Sequence, residues 1–136
     1  MTFFKAKKIV VTGASGLLGA HLVENLIAAG ADVRAVVHNR PLQLVHPNVE
    51  VVRAELTQQQ ECDRVMRGMD MACFCASITV GAAQAVTNPM GAVTDNLVIA
   101  ARSFQAACLA QVKRVLLVSS TTVYPAYNRP VRDEYL

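Results

Sequence analysis

Three glycines at even spacing follow directly on an apolar run: Ile9-Val10-Val11 leads into Thr12-Gly13-Ala14-Ser15-Gly16-Leu17-Leu18-Gly19. In a turn of this kind each glycine has its own task. Gly13 takes a backbone shape that other residues avoid. Gly16 lets a phosphate approach the main chain, and Gly19 lets a helix pack against the preceding strand. The N–H groups of Gly16, Leu17 and Leu18, expected to be free, open a helix whose dipole favours negative charge, with Ser15 in the same turn. The chemistry on offer is anion binding. Between a strand and a helix, the expected anion is a dinucleotide pyrophosphate. A glycine trio by itself also fits a tight turn with a purely structural role, so the surrounding elements decide.

Those elements alternate. Residues 8–12 read as a first strand closed by Gly13. Residues 17–29 carry Leu18, Leu22, Val23, Leu26 and Ile27 at helical spacing and end at Gly30. Val33 to Val37 and Val49 to Arg53 are the second and third strands. Thr57 is expected to cap a helix, with Gln60 as its capping-box partner and Gly68 at its end. Met71 to Ala76 reads as a fourth strand. Asn88-Pro89 starts a helix that runs to about Ala110, and Arg114 to Ser119 makes a fifth strand. Apolar strands without alternation, separated by helices, predict a parallel sheet covered on both faces. The expected class is therefore α/β, a doubly wound parallel sheet of order 3-2-1-4-5.

A chain of 136 residues suits one domain, residues 1–136, and its 53% apolar content is enough for a real core. The net charge of +3 is scattered, and its one basic cluster, Lys5-Lys7-Lys8, leads into the first strand. No stripe of basic and aromatic residues points to nucleic acid. No apolar stretch approaches the ~20 residues of a membrane span, and no secretory pattern opens the chain. Cys62, Cys73, Cys75 and Cys108 lack a paired metal spacing, so no metal site is expected. They read as reduced thiols of a cytoplasmic protein, with Cys73 and Cys75 on one face of a strand as small core residues.

The glycine spacing Gly-x-x-Gly-x-x-Gly after Thr12 resembles the extended branch of the short-chain dehydrogenase/reductase superfamily. That branch holds sugar-nucleotide epimerases, dehydratases and reductases, as well as dihydroflavonol-reductase-like enzymes. The resemblance runs along the chain and implies a Rossmann-like fold and an NAD(P) cofactor. Val33 to His38 is similar to the branch's second strand. Glu55-Leu56 stands where the family has Asp-Leu beside the adenine. Cys75-Ala76-Ser77 stands at the small-residue turn near the adenosine ribose. Asn96-Leu97 resembles the Asn-Val of the long helix, and Val112-Lys113-Arg114 with Val118-Ser119-Ser120 resembles the fifth-strand signature. Val123-Tyr124-Pro125, Pro130 and Glu134 resemble a loop of sugar-nucleotide enzymes, including GDP-fucose-synthase-like ones.

Within that family an acid at the end of the second strand binds the ribose hydroxyls of NAD. Here the strand ends Val37-His38-Asn39-Arg40, without an acid, and Asp32 lies at its other end. Arg40 is suited to pair with a 2′-phosphate, with His38 or Asn39 adding hydrogen bonds. NADP is the expected cofactor and NAD the alternative, in which Arg40 is a solvated loop charge. Arg34 is expected to face the surface.

The resemblance gives Ser120 the role of the hydroxyl that hydrogen-bonds the substrate oxygen as hydride moves. Thr121 is the alternate, and a strand-end cap is the structural reading of the same hydroxyl. The family's Tyr-x-x-x-Lys pair does not occur: Tyr124 is followed four residues on by Asn128, and Tyr127 by Val131. The expected protein is thus the dinucleotide-binding part of an enzyme truncated before that motif. The alternative is a non-catalytic dinucleotide-binding or redox-sensing module. A small-molecule substrate would meet the full-length parent. Val115-Leu116-Leu117-Val118 would then form a bare apolar edge, open to pairing with a second copy.

Overall fold

The structure is a computed structural model that describes residues 3–81, 87, 88 and 90–120. Its elements are β1 (Lys8–Thr12), α1 (Leu17–Ala28), β2 (Asp32–Val37), β3 (Val49–Arg53), α2 (Gln59–Met66), β4 (Met71–Phe74), α3 (Gly91–Leu109) and β5 (Arg114–Leu117). All four strand pairings are parallel and the order is β3-β2-β1-β4-β5, as the alternation of elements predicts.

Successive strand residues point to opposite faces, and both faces of this sheet carry helices. Val10, Val36, Ala72 and Phe74 pack with Val65 and Met66 of α2 and Ala106 and Ala107 of α3. Ile9, Val11, Val33, Ala35 and Cys73 pack with Val23 and Leu26 of α1. Ile9, Val10 and Val11 are therefore all fully buried, which explains a strand with no polar alternation. Burying each such side chain contributes about 1.5–3 kcal/mol.

The local differences from the sequence reading have physical causes. Thr57 does not cap α2. Its N–H and hydroxyl both donate to Glu55 Oε1, at 3.0 and 2.8 Å, and the helix starts at Gln59 instead. β4 ends at Phe74 rather than Ala76, because the chain there swings across Gly13 and the Ala76 N–H turns to the Thr12 hydroxyl at 3.3 Å. β5 ends at Leu117 rather than Ser119. Regular α3 begins at Gly91, yet Asn88 still serves its start, since Asn88 Oδ1 accepts the Gly91 N–H at 3.1 Å. Pro89 lies outside the described residues.

Arg34 does not face the surface freely. It is 18% exposed and pairs with Glu50 at 2.7 Å, its register partner on β3. Its guanidinium also donates to the Val65 and Arg67 carbonyls at 3.0 and 3.1 Å. The end of a helix leaves carbonyls without partners, and Arg34 supplies donors for two at the close of α2. Leu18, placed on the apolar stripe by its spacing, is 53% exposed at the mouth of the sheet's carboxyl edge. Among the described residues no helix is long and apolar enough to cross a membrane.

Candidate functional site

Strand order reverses between β1 and β4, and ligands of open α/β sheets bind at such a switch point, outside the carboxyl ends of the strands. A cavity of about 520 Å³ lies there. Gly13, Ser15 and Gly16 form its floor beside β1. His38, Asn39 and Arg40 enter from the end of β2, Glu55, Leu56 and Thr57 from the end of β3, and Cys75, Ala76 and Ser77 from the end of β4.

The glycine turn is held tightly. Gly13 has φ +68°, and a Cβ built there would stand 2.7 Å from the Ala76 nitrogen and the Cys75 oxygen. A Cβ at Gly19 would overlap the Gly13 carbonyl oxygen. The Ala14 N–H donates to Val36 O at 3.0 Å, which ties the turn to β2. One expectation needs correcting: the Gly16 N–H is not free, because it closes the turn onto Gly13 O at 2.9 Å. The first-turn amides of Leu17 and Leu18 have no intrahelical acceptor, though neither residue lines the cavity. Gly16, the N-cap, brings no side-chain cap and no acid stands in the first turn. That end of α1 keeps its positive dipole uncompensated.

The β2 and β3 ends bring a charged cluster together. His38 Nε2 lies 2.9 Å from Glu55 Oε2, both half-exposed in the cavity. The Thr57 N–H, then its hydroxyl, hold the Glu55 carboxyl below its ordinary range; burial pulls the other way, and His38 adds to the lowering. The Arg53 guanidinium reaches Asn39 Oδ1 at 3.4 Å, while Arg40 lines the cavity rim. Asp32 sits at the opposite end of β2, where it accepts from the Asn48 amide at 2.9 Å. Burial pushes the Cys75 thiol up, and Cys73 up to about 11 through burial and then its neighbour Cys75, so both are neutral thiols.

Residues 9–136 match the NAD dependent epimerase/dehydratase family. The chain belongs to that family. It is 26% identical over its whole length to a GDP-L-fucose synthase of Sinorhizobium fredii, 40% of which it covers. It is 34% identical over 73 residues to a 2-alkyl-3-oxoalkanoate reductase of Shewanella oneidensis, matching 54% of this chain and 19% of that one. Among solved structures, an epimerase of Methanothermobacter thermautotrophicus matches 97% of this chain and 41% of its own, with TM-score 0.83 and 22% identity. MoeE5, solved with UDP-glucose and NAD, matches 89% of this chain and 39% of its own, with TM-score 0.76 and 27% identity. The chain thus spans about 40% of the length of the relatives it matches over its whole extent.

Eleven of the residues read from the sequence for this family line the cavity, including the whole His38-Asn39-Arg40 and Cys75-Ala76-Ser77 runs. Leu56 does so while its side chain belongs to the core, 6% exposed. Gly19 acts from beneath, by letting α1 approach the turn. Asn96 does not face the cavity. Its side chain accepts the Ile78 N–H at 2.8 Å and donates to Ile78 O at 2.9 Å, clamping the segment after β4. It lines an adjoining cavity of about 210 Å³ with Thr12, Phe74 and Ser103. Ser119 and Ser120 are exposed after β5 and line neither cavity. Thr121, Val123, Tyr124, Pro125, Pro130 and Glu134 lie outside the described residues. Sequence reasoning missed Thr57, Ile78, Asp95 and Ile99 as cavity residues. The spacing of Asp95 and Ile99, one helical turn apart, was a usable signal for a shared face of α3.

Proposed function

We propose that the chain is the nicotinamide-dinucleotide-binding portion of an epimerase, dehydratase or reductase acting on a sugar nucleotide or a similar carbonyl or alcohol substrate. The observation that carries this reading is the continuity of one cavity from the glycine turn to the ends of β2 and β3. The Leu17 and Leu18 amides would hold the pyrophosphate, and the dipole of α1 would offset part of its charge. The adenosine would lie between His38-Asn39-Arg40 and Glu55-Leu56, with Cys75-Ala76-Ser77 against its ribose. Once bound, the cofactor supplies hydride transfer. Ser120 is assigned the hydroxyl that hydrogen-bonds the substrate oxygen. The 136 residues contain no Tyr-x-x-x-Lys, so binding without turnover is expected of them.

We assign NADP over NAD. Arg40 stands on the cavity rim with no acid partner among the described residues, Arg53 is drawn toward the same place by Asn39, and β2 ends without an acid. Calorimetric titration should show NADPH binding about tenfold tighter than NADH, the worth of one charge-assisted contact. Arg40→Ala should remove most of that difference and leave NADH affinity unchanged. Equal affinities in the unmutated chain would overturn the NADP assignment, and no binding of either nucleotide would overturn the functional reading.

The proposal extends to a cytoplasmic protein and to self-association. Val115, Leu116 and Leu117 on β5 and Val118 just after it are 38–51% exposed, along an edge that no further strand pairs among the described residues. Such an edge pairs with another strand, here that of a second copy. Sedimentation at micromolar concentration should show a dimer that Leu116→Lys converts to monomer. A monomeric unmutated 136-residue chain would refute this.

A further inference from the structure

A parallel sheet gathers the first residues of its strands at one edge, here Lys8, Asp32, Met71 and Arg114, opposite the cavity at the carboxyl ends. Short contacts bring further cations to that edge from distant parts of the sequence. The Asp70 carbonyl accepts the Lys113 N–H at 3.0 Å, and Asp70 Oδ2 accepts the Lys8 N–H at 3.0 Å. Lys5 and Lys7 stand in a turn pinned by the Ala6 N–H on Gly30 O at 2.8 Å and the Lys7 N–H on Phe4 O at 3.0 Å. The same turn carries Phe3, 47% exposed. Its ring meets Phe4 edge to face with centroids 4.9 Å apart, and the Arg114 guanidinium lies over it at 5.0 Å. Phe4 in turn packs against the core on the α1 side.

We propose that this edge docks on an anionic lipid surface, with Phe3 entering the headgroup layer and Lys5, Lys7, Lys8, Lys113 and Arg114 lying over the lipid charges. Those five cations meet two carboxylates, Asp32 and Asp70, so the edge holds a surplus equal to the +3 of the whole chain. Glu50 and Arg34, further along, neutralise each other at 2.7 Å. Clustered Lys and Arg are drawn to anionic lipid. An aromatic ring among them adds apolar contact at the boundary with the acyl chains. The cavity at the opposite edge would stay open to water, so the docking does not depend on what the cavity binds.

An internal role accounts for part of this charge. The last turns of α1 and α3 end at the same edge without a basic residue of their own, so nearby cations offset the negative ends of both helices. That role needs charge beside two helix ends. It does not need an aromatic ring held outward between a core residue and an arginine. Asp70 does not cancel the patch. The Lys8 N–H is the main cause holding its carboxyl below the ordinary range; desolvation opposes this, and the charges of Lys7, Lys113 and Lys8 add to the lowering. Asp70 therefore stays ionised and offsets one cation. A nucleic-acid strand would meet the same charges, but stacked bases need open aromatic faces. Among the described residues this edge offers one exposed ring, with Arg114 over one of its faces.

The test is co-sedimentation of the full chain with vesicles of phosphatidylcholine alone, and of phosphatidylcholine with about 30% phosphatidylserine, at about 0.1 M salt. The chain should bind the anionic vesicles at least about tenfold tighter, and about 0.5 M salt should release it. Lys113→Gln should weaken that binding about fivefold, and Lys5→Gln added to it about 25-fold in all. Phe3→Ser should weaken it about fivefold while leaving the salt dependence unchanged. Arg40→Gln removes one charge at the opposite edge and should leave binding within about twofold, which separates this edge from net charge. Equal binding to both vesicles, no binding to either, or equal losses in Arg40→Gln and Lys113→Gln overturns the proposal. Tighter capture by a single-stranded oligonucleotide than by the anionic vesicles overturns it too, and gives the edge to nucleic acid.

Discussion

Gly13→Ala is expected to lower the unfolding free energy by about 2–5 kcal/mol and to abolish dinucleotide binding. Two costs add. The residue has φ +68°, where an L side chain costs about 1–2 kcal/mol. The new Cβ would also stand 2.7 Å from the Ala76 nitrogen and the Cys75 oxygen, both backbone atoms. Those atoms have little room to retreat, because Cys75 and Ala76 donate back to the Thr12 carbonyl and hydroxyl at 3.2 and 3.3 Å. Forcing atoms into such a space costs about 1–3 kcal/mol. Gly68→Ala separates the two terms. Gly68 has φ +74°, but nothing lies within 4 Å of a Cβ there. It should show the conformational cost alone, about 1–2 kcal/mol. Urea titration of both variants checks this. Equal midpoints would mean that the chain after β4 does not press on the glycine turn.

The sheet was legible because its signal is local and repeated. A run such as Ile9-Val10-Val11 has no polar alternation because α1 covers one face while α2 and α3 cover the other. The order of strands followed from the handedness of parallel crossovers. Helix starts were less legible, since they turn on which of several polar groups claims an amide. Thr57 carries the right side chain for a cap, but the Glu55 carboxylate takes its donors first. Arg34 reads as a surface charge until α2 folds its end over β2 and offers two carbonyls. The site divides along the same line. The glycine turn and the β2 end are contiguous in sequence and were visible there. The His38–Glu55 pair joins residues from two strands, and Asp95 reaches the cavity from α3, so both depend on tertiary packing. Gly16 is the instructive miss: its N–H, read as free, closes the turn onto Gly13 O, a bond that depends on the local backbone path and not on residue type.

Gly16→Asp should therefore move stability and binding in opposite directions. Gly16 is the N-cap of α1, with φ −80° and ψ 166°, a conformation open to any residue. Aspartate is a favoured N-cap, and its carboxylate would accept first-turn amides that now have no side-chain partner. The closest neighbour of the new Cβ is Gly13 O at 3.2 Å, which asks for a shift of a few tenths of an ångström. The net expectation is stability unchanged or raised by about 0.5–1 kcal/mol. The same carboxylate would occupy the pyrophosphate's place and repel it, weakening both NADPH and NADH at least about a hundredfold, or about 2.7 kcal/mol. Urea titration and calorimetry on one sample read both effects. Retained affinity would move the pyrophosphate away from α1. A loss of stability together with affinity would mean that the contact with Gly13 O outweighs the cap, and that the turn tolerates no side chain at this position.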